Sequence, residues 1–560
     1  MTTVKKAVVQ TLVDCGLTTG FTLPGLGITW MLEDFREQRD RIRLVLTRSE
    51  QAASVMAQVY GKLTGRPGLF LGQGPWVNTT GAFGILEAYF SGSPMVVLTE
   101  TSCYDGFAQH GVYQSMTGDY GAADVRTALG TMTKFVNYAT EPEEAVYSVQ
   151  LACKHAGLPR QGPAAVVLKT PVIRREIPDA PRARLYPSSG YLSHVPARPD
   201  PEAVARIAAW LREARRPLIV AGNGLQHEQG RAWLAEIADG AGIAVATSYN
   251  GKGLVDETSP YATGMLGTWG AGAANAALQD ADVILVLGAS LGPDYTGFRD
   301  PEWMRPGEQR IIQVDIDPRN AGWVLPVDLA VAGDATEVLR ALHGSDLGEA
   351  LREARLQRIA ERNAAAGFGV IPDLPAAPGT LGFADLIRCL DAFLTPEDML
   401  TLDAGSNRIW ATSILRVRTP GQLLVPGGIG GMGWGPPAAA AAKLVHPERN
   451  VVCLVGDGGF AMTMSVLMTC VEENLPITVV VANNAGLGMV RDNQKGRNLA
   501  VDYGGFDFAR IAEGMGCHGV RVNRPEALEK ALVQARGKHL PTVIDVTVDP
   551  ASSHMNVSHY

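Results

Sequence analysis

The chain has 560 residues, a formal net charge of -8, 46% hydrophobic and 19% charged residues. That balance describes a multidomain globular protein and excludes wholesale disorder or a generally basic nucleic-acid binder. No stretch approaches the ~20 apolar residues of a membrane helix, and the N-terminus is broken by Asp14 and Gly16, without a signal-peptide cleavage site. The seven cysteines are odd in number and form no CxxC. They suggest neither a disulfide scaffold nor a zinc site, and the expected home is the cytoplasm.

Along the chain, short Val/Ile/Leu runs alternate with Ala-rich helical stretches in three blocks, the rhythm of parallel α/β structure. The first block, 1–174, holds strands at 42–46, 68–72, 94–99 and 163–171, and a helix at 50–65. Residues 175–201 are Pro/Arg-rich, without periodicity, and read as a linker. The second block, 202–341, has strands at 217–224, 243–248, 282–289 and 310–317. Residues 342–380, charged and then Pro/Ala-rich, read as a second linker. The third block, 381–550, has strands at 399–405, 422–428, 450–458, 476–484 and 541–549. The tail 551–560, with His554 and His559, is expected to fray. The expected fold is three doubly wound parallel-sheet domains, and such sheets bind ligands beyond the carboxyl ends of their strands.

Residues 452–488 carry the most information. A strand ends in Gly456-Asp457-Gly458-Gly459, a helix is expected over 460–473, and the next strand ends in Asn483-Asn484-Ala485-Gly486. Parallel strands joined by a right-handed crossover present both loops at one sheet edge, so Asp457 and Asn484 can meet in space. One carboxylate, one amide oxygen and a backbone carbonyl suit Mg²⁺, which completes its shell with phosphate oxygens and water. Gly458 and Gly459 let backbone amides approach a phosphate at the helix start. Alone, a GDG is a turn and an NN a loop; each ending a strand of one crossover makes coincidence a poor account. A rival pattern is present. Gly428-Ile429-Gly430-Gly431-Met432-Gly433 is a GxGxxG before a helix, with Asp457 closing the next strand, as in NAD-binding folds. That reading ranks lower, because its helix is short, its acid sits in a glycine turn, and Asn483-Asn484 is left without a role.

The 452–488 segment resembles the cofactor-binding motif of thiamine-diphosphate (ThDP) enzymes. The resemblance implies that Asp457, the Asn484 side chain and the Gly486 carbonyl bind Mg²⁺, which bridges to the diphosphate. It also directs attention to Glu50. Arg48-Ser49-Glu50-Gln51-Ala52-Ala53 and Thr64-Gly65-Arg66-Pro67-Gly68 match a pattern in which a glutamate activates the cofactor's pyrimidine; Ser49 stands where a histidine is usual. By itself Glu50 reads as an ordinary helix N-terminal carboxylate. The resemblance further implies that Met432 props the cofactor's bent conformation and that Gly430 offers its carbonyl to the aminopyrimidine. Met432 alone reads as a core methionine. Gly405, Ser406 and Asn407 form a further phosphate-loop candidate, and Pro24 and Asn78 match positions that face the cofactor.

The resemblance spans nearly the whole chain and lies closest to acetolactate synthases, through 264–278, 287–298, 314–322 and Leu487-Gly488-Met489-Val490-Arg491. It implies Mg²⁺/ThDP-dependent decarboxylation of a 2-oxo acid such as pyruvate, with carboligation to a second carbonyl. Simple decarboxylation, or C–C lysis, is the alternative. It also implies a homodimer or homotetramer in which Glu50 and the Mg²⁺ motif of one site come from different subunits. Two departures stand out. Asp492 and Asn493 occupy the region where acetolactate synthases carry an acceptor-selecting tryptophan. The 101–134 region replaces their Phe-Gln-Glu segment with Gln109, His110 and Gln114, near where decarboxylase relatives place active-site histidines. His110 reads equally as a loop histidine or as a proton donor. The segment 287–298 lacks the arginine that accompanies FAD in many acetolactate synthases, which counts against FAD.

Overall fold

The structure is a computed structural model describing residues 2–103 and 113–558. Strands are numbered in chain order. A two-residue strand β1 (Thr2–Thr3) pairs antiparallel with β8 (Glu176–Ile177) and ties the start of the chain to the end of the first domain. Between them, β2 (Thr19–Leu23), β3 (Arg43–Leu46), β4 (Gly68–Gly72), β5 (Met95–Glu100), β6 (Phe135–Ala139) and β7 (Pro163–Leu168) form a parallel sheet in the order β3-β2-β4-β5-β7-β6. The second sheet comprises β9 (Pro217–Ala221), β10 (Ala244–Thr247), β11 (Ala262–Met265), β12 (Val283–Leu287), β13 (Arg310–Asp315) and β14 (Leu329–Ala332), ordered β11-β10-β9-β12-β13-β14. The third holds β15 (Met399–Leu402), β16 (Leu423–Leu424), β17 (Val451–Gly456), β18 (Thr478–Asn483), β19 (His518–Val522) and β20 (Thr542–Thr547), ordered β16-β15-β17-β18-β20-β19. All pairings in these three sheets are parallel. The first and third sheets share one topology; the second differs. Their central strands are apolar on both faces, so helices cover each side.

Each sheet reverses its winding beside its first strand, and the crevice there is where such sheets take ligands. In the third sheet that crevice lies between β15 and β17. The first and third domains pack through helices Glu50–Thr64 and Gly435–Val445, and one hydrophobic cluster runs through both. Trp434 Nε1 donates to Gln58 Oε1 across this contact, at 3.0 Å. No helix of the described residues is long and apolar enough to cross a membrane.

Three segments differ from expectation. Within 342–380, Arg352–Ala365 is helical and packs on the central domain, where Arg355 is buried and donates to the carbonyls of Leu211, Ala214, Ala241 and Leu347. The helix expected over 460–473 is split into Asp457–Thr463 and Val466–Glu472. The tail does not fray over its described residues. His554 is 1% exposed, its Nδ1 lies 2.6 Å from Asp492 Oδ2, and Val557 joins the core beside Phe383 and Trp410. A buried apolar side chain and a paired imidazole outweigh the entropy of a short free end.

Candidate cofactor site

The site begins at the β15/β17 crevice. Asp457 follows β17 directly and is 4% exposed. Its Oδ1 accepts from Gly458 N at 2.8 Å and its Oδ2 from Gly486 N at 3.0 Å. The carboxylate therefore touches the loop after β18, which is the meeting of strand tips that the crossover argument requires. Burial pushes its pKa up to about 6, against these donors and Arg491. The two asparagines divide their work. Asn483 donates to Asp545 Oδ1 at 2.9 Å and to Phe506 O, so its amide is structural. Asn484 is buried beside Asp457's partner loop, and a Cβ at Gly488 would lie 2.5 Å from its Nδ2. Its own carbonyl accepts from Arg491. The Gly486 carbonyl accepts from Gly488 N at 3.0 Å. Among the described residues no cluster of three or more His, Cys, Asp or Glu is placed to hold a metal. A divalent ion at Asp457 would therefore draw its remaining oxygens from asparagine, backbone, ligand and water, the preference of Mg²⁺.

Across the crevice, Gly405 (φ +125°) and Ser406 open the helix Ser406–Ile414 after β15. Ser406 Oγ is buried and has no hydrogen-bond partner among the described residues, and a Cβ at Gly488 would come within 3.3 Å of it. Asn407 is differently employed: its Nδ2 donates to Asp403 O and Leu454 O, tying the two strand tips together. Gly458 is hemmed in. A Cβ there would meet Tyr503 Oη at 2.8 Å and Met432 Cε at 2.9 Å. At Gly459 it would meet Asp403 Oδ1 at 2.5 Å. Met432, partly buried, thus lies against the Asp457-Gly458 turn.

The glycine loop 427–435 is gripped by two buried acids that the sequence pattern did not single out. Asp403, fully buried at the tip of β15, accepts from Gly433 N at 2.9 Å and Gly435 N at 2.6 Å. Burial pushes its pKa up to about 6. Glu87, 1% exposed, reaches over from the first domain and accepts from Gly428 N at 2.6 Å and Ile429 N at 2.8 Å. Burial raises its pKa too, while those two donors and Lys62 oppose the rise. Four loop amides are thereby taken. These are amides that a dinucleotide pyrophosphate would need, so the GxGxxG reading loses its donors. Gly430 (φ +63°) and Gly433 (φ +87°) are left-handed, which accounts for glycine at both. An acid closing the otherwise apolar run Met399–Leu402 was the available signal for Asp403; Glu87 offered none.

In the first domain, Glu50 opens the helix Glu50–Thr64, and Ser49, in place of the usual histidine, caps it by accepting from Ala52 N at 3.1 Å. Glu50 is partly exposed, and its Oε2 accepts from Thr80 Oγ1 at 3.1 Å. Next to it, Gln51 Nε2 would lie 3.4 Å from a Cβ at Gly433. Pro24 follows β2 and Asn78 ends the helix Gly74–Asn78 after β4, so both sit at that sheet's own reversal point. Asn78 Oδ1 is buried without a partner. Gln114 (φ +63°) accepts through Oε1 from Gln73 Nε2 at 3.0 Å, and Gln73 also donates to Ser102 Oγ. Gln109 and His110 lie outside the described residues.

Comparison with known proteins agrees with this architecture domain by domain. Residues 2–122 match the thiamine pyrophosphate enzyme N-terminal TPP binding domain, 204–342 the central domain and 403–546 the C-terminal TPP binding domain; thiamine pyrophosphate is another name for ThDP. The chain is 29% identical to the probable acetolactate synthase large subunit of Methanocaldococcus jannaschii, over 98% of this chain and 92% of that protein. It is 28% identical to the mitochondrial acetolactate synthase catalytic subunit of Saccharomyces cerevisiae, over 95% of this chain and 78% of that one. It is also 28% identical to the pyruvate oxidase of Lactiplantibacillus plantarum, over 97% and 88%.

Proposed function

The chain belongs to the thiamine pyrophosphate enzymes, close to acetolactate synthase, and from that premise we propose that it decarboxylates a 2-oxo acid such as pyruvate and joins the remaining fragment to a second carbonyl. The observation that carries this reading is the contact of the Asp457 carboxylate with the Asn484–Gly486 loop, opposite the unpartnered Ser406 hydroxyl. Such a crevice suits a diphosphate and its Mg²⁺. In this reading Asp457, the Asn484 amide oxygen and the Gly486 carbonyl would hold the metal, while Ser406 and Gly458 would face phosphate oxygens. When bound, ThDP supplies the electron sink that lets a 2-oxo acid lose CO₂.

The chain's own residues do the rest. Asp403 and Glu87 fix the glycine loop, so the Gly430 carbonyl and the Met432 side chain are presented without reorganisation. The Glu50 carboxyl would hold the cofactor's pyrimidine and exchange a proton with it, and Asn78 would lend an oxygen that has no partner among the described residues. In this reading Glu50 serves the metal site of a second copy, giving a homodimer or homotetramer. The lack of an arginine over 287–298 counts against FAD without removing it from the possible cofactors. The deciding experiment incubates the chain with ThDP, Mg²⁺ and pyruvate, and follows CO₂ and coupled products across aldehydes and keto acids. Carboligation products support the proposal, CO₂ with free aldehyde alone shifts it to simple decarboxylation, and no ThDP uptake ends it.

A further inference from the structure

A cavity of about 300 Å³ lies between the central and C-terminal domains, lined by Tyr249, Thr268, Trp269, Asp294, Arg408 and Gly430 among others. Arg408, from the helix Ser406–Ile414, is 9% exposed. Its guanidinium carbon lies 5.2 Å from the Tyr249 ring centre and 5.6 Å from that of Trp269. Among the described residues it forms no ion pair. Two carboxylates feel its charge, Asp294 on the cavity wall and the buried Asp403; burial raises the pKa of both, with Arg408 opposing, and neither lies within ion-pair range of it. Thr268, 5% exposed, carries a buried hydroxyl without a partner among the described residues. A Cβ at Gly430 would come 3.1 Å from Arg408 Nη1, so the cation sits against the glycine loop.

A buried guanidinium without a counter-ion is costly, and cation–π contact offsets only part of that cost. An anion is the ligand such a cation takes. The fork of N–H donors matches a carboxylate's two oxygens, the Thr268 hydroxyl adds a third contact, and the volume admits a small acid together with water. The guanidinium also covers faces of Tyr249 and Trp269 on which a planar ring would otherwise stack. We propose that this cavity binds a small carboxylic acid, held by the Arg408 guanidinium and the Thr268 hydroxyl. The site goes beyond the catalytic reading above: its assignment to a 2-oxo acid substrate rests on that reading, and its assignment to a carboxylate regulator does not. A 2-oxo acid substrate and a non-reacting carboxylate regulator share this chemistry.

The test is calorimetric titration of the full chain, saturated with ThDP and Mg²⁺, using oxamate (a 2-oxo acid mimic), succinate (no oxo group) and neutral acetamide. At least one carboxylate should bind and acetamide should not. Arg408→Met should weaken carboxylate binding about 10-fold or more, with Thr268→Val and Arg408→Lys intermediate. Binding of oxamate alone assigns the site to 2-oxo acids; binding of succinate as well assigns it to carboxylates in general. ThDP affinity, measured on each variant, reports folding. If Arg408→Met does not fold, Thr268→Val and Arg408→Lys decide. Carboxylate binding unchanged in the variants, no carboxylate binding by the wild type, or purification with stoichiometric flavin overturns the proposal. ThDP uptake without carboxylate binding overturns it alone and leaves the catalytic reading standing.

Discussion

Glu50 and Asp457 are both carboxylates at the first residue of a helix, yet their surroundings separate their chemistry. Asp457 is buried among backbone donors, while Glu50 is partly open and holds one hydroxyl. Their variants should therefore fail differently. Glu50→Gln should lower turnover by about 10²–10⁴, the range of general acid–base groups, and keep ThDP affinity within a few-fold. Asp457→Asn should lower Mg²⁺-dependent ThDP affinity at least about 30-fold, the scale of losing one partner of a buried charged contact. Fluorescence titration beside steady-state rates separates the two; unchanged turnover in Glu50→Gln discards its assignment. Asp403 adds a pH dependence. Its folded pKa, near 6, lies above the ordinary 3.8, so the neutral acid favours the folded state. That stability is present below about pH 4 and is lost as pH rises through about 6, roughly 3 kcal/mol in all. Denaturant unfolding of the cofactor-free chain should show the wild type losing this much relative to Asp403→Asn between about pH 4 and 7; a pH-independent difference refutes it. The places of Asp457 and Asn484 at strand ends were legible from chain punctuation, and Glu50's at a helix start, while the roles given to them rest on the family resemblance. Asp403 also closes a strand, but its grip on the glycine loop 30 residues on was not legible, and neither was Glu87, whose partner lies 341 residues away.

At the scale of elements, the alternation of apolar runs and Ala-rich stretches was enough to read three parallel α/β sheets. Of the strands it passed over, Phe135–Ala139 and His518–Val522 are mostly partly buried or exposed, whereas Thr19–Leu23 and Ala262–Met265 are buried but broken in pattern by Thr and Gly. Glycine decides how closely helices cross. Helices Glu50–Thr64 and Ala82–Ser91 meet where a Cβ at Gly84 would come 2.3 Å from the Ser54 carbonyl carbon and 2.5 Å from Val55 N. Backbone cannot yield as a side-chain tip does. Gly84→Ala should cost about 1–3 kcal/mol, the usual range for overpacking, and should displace the helix that carries both Glu50 and Gln58. A thermal midpoint equal to that of the wild type would show that the crossing relaxes freely.

Over the whole molecule, the first and third domains share a core, and the central domain is tied to the glycine loop through Asn250 Nδ2 and Gly427 O, at 2.6 Å. Exposed apolar side chains near the site face, among them Trp76, Ile429 and Met462, are consistent with a second copy covering it. Dilution to monomer should abolish ThDP binding and activity together. Sedimentation run beside a rate assay checks this, and a fully loaded, active monomer would refute the shared site. By itself the sequence determined which strand ends carry an acid, an amide or a glycine turn, because hydrophobic period and chain punctuation are local. Only the tertiary structure decided that Glu87 holds the glycine loop, that Asn483 bonds Asp545 while Asn484 lies in the loop that Asp457 touches, that the tail docks through His554, and that Arg408 is buried without a counter-ion among the described residues. Those are long-range contacts, and burial, which sets their charge and their cost, exists only once the domains have packed.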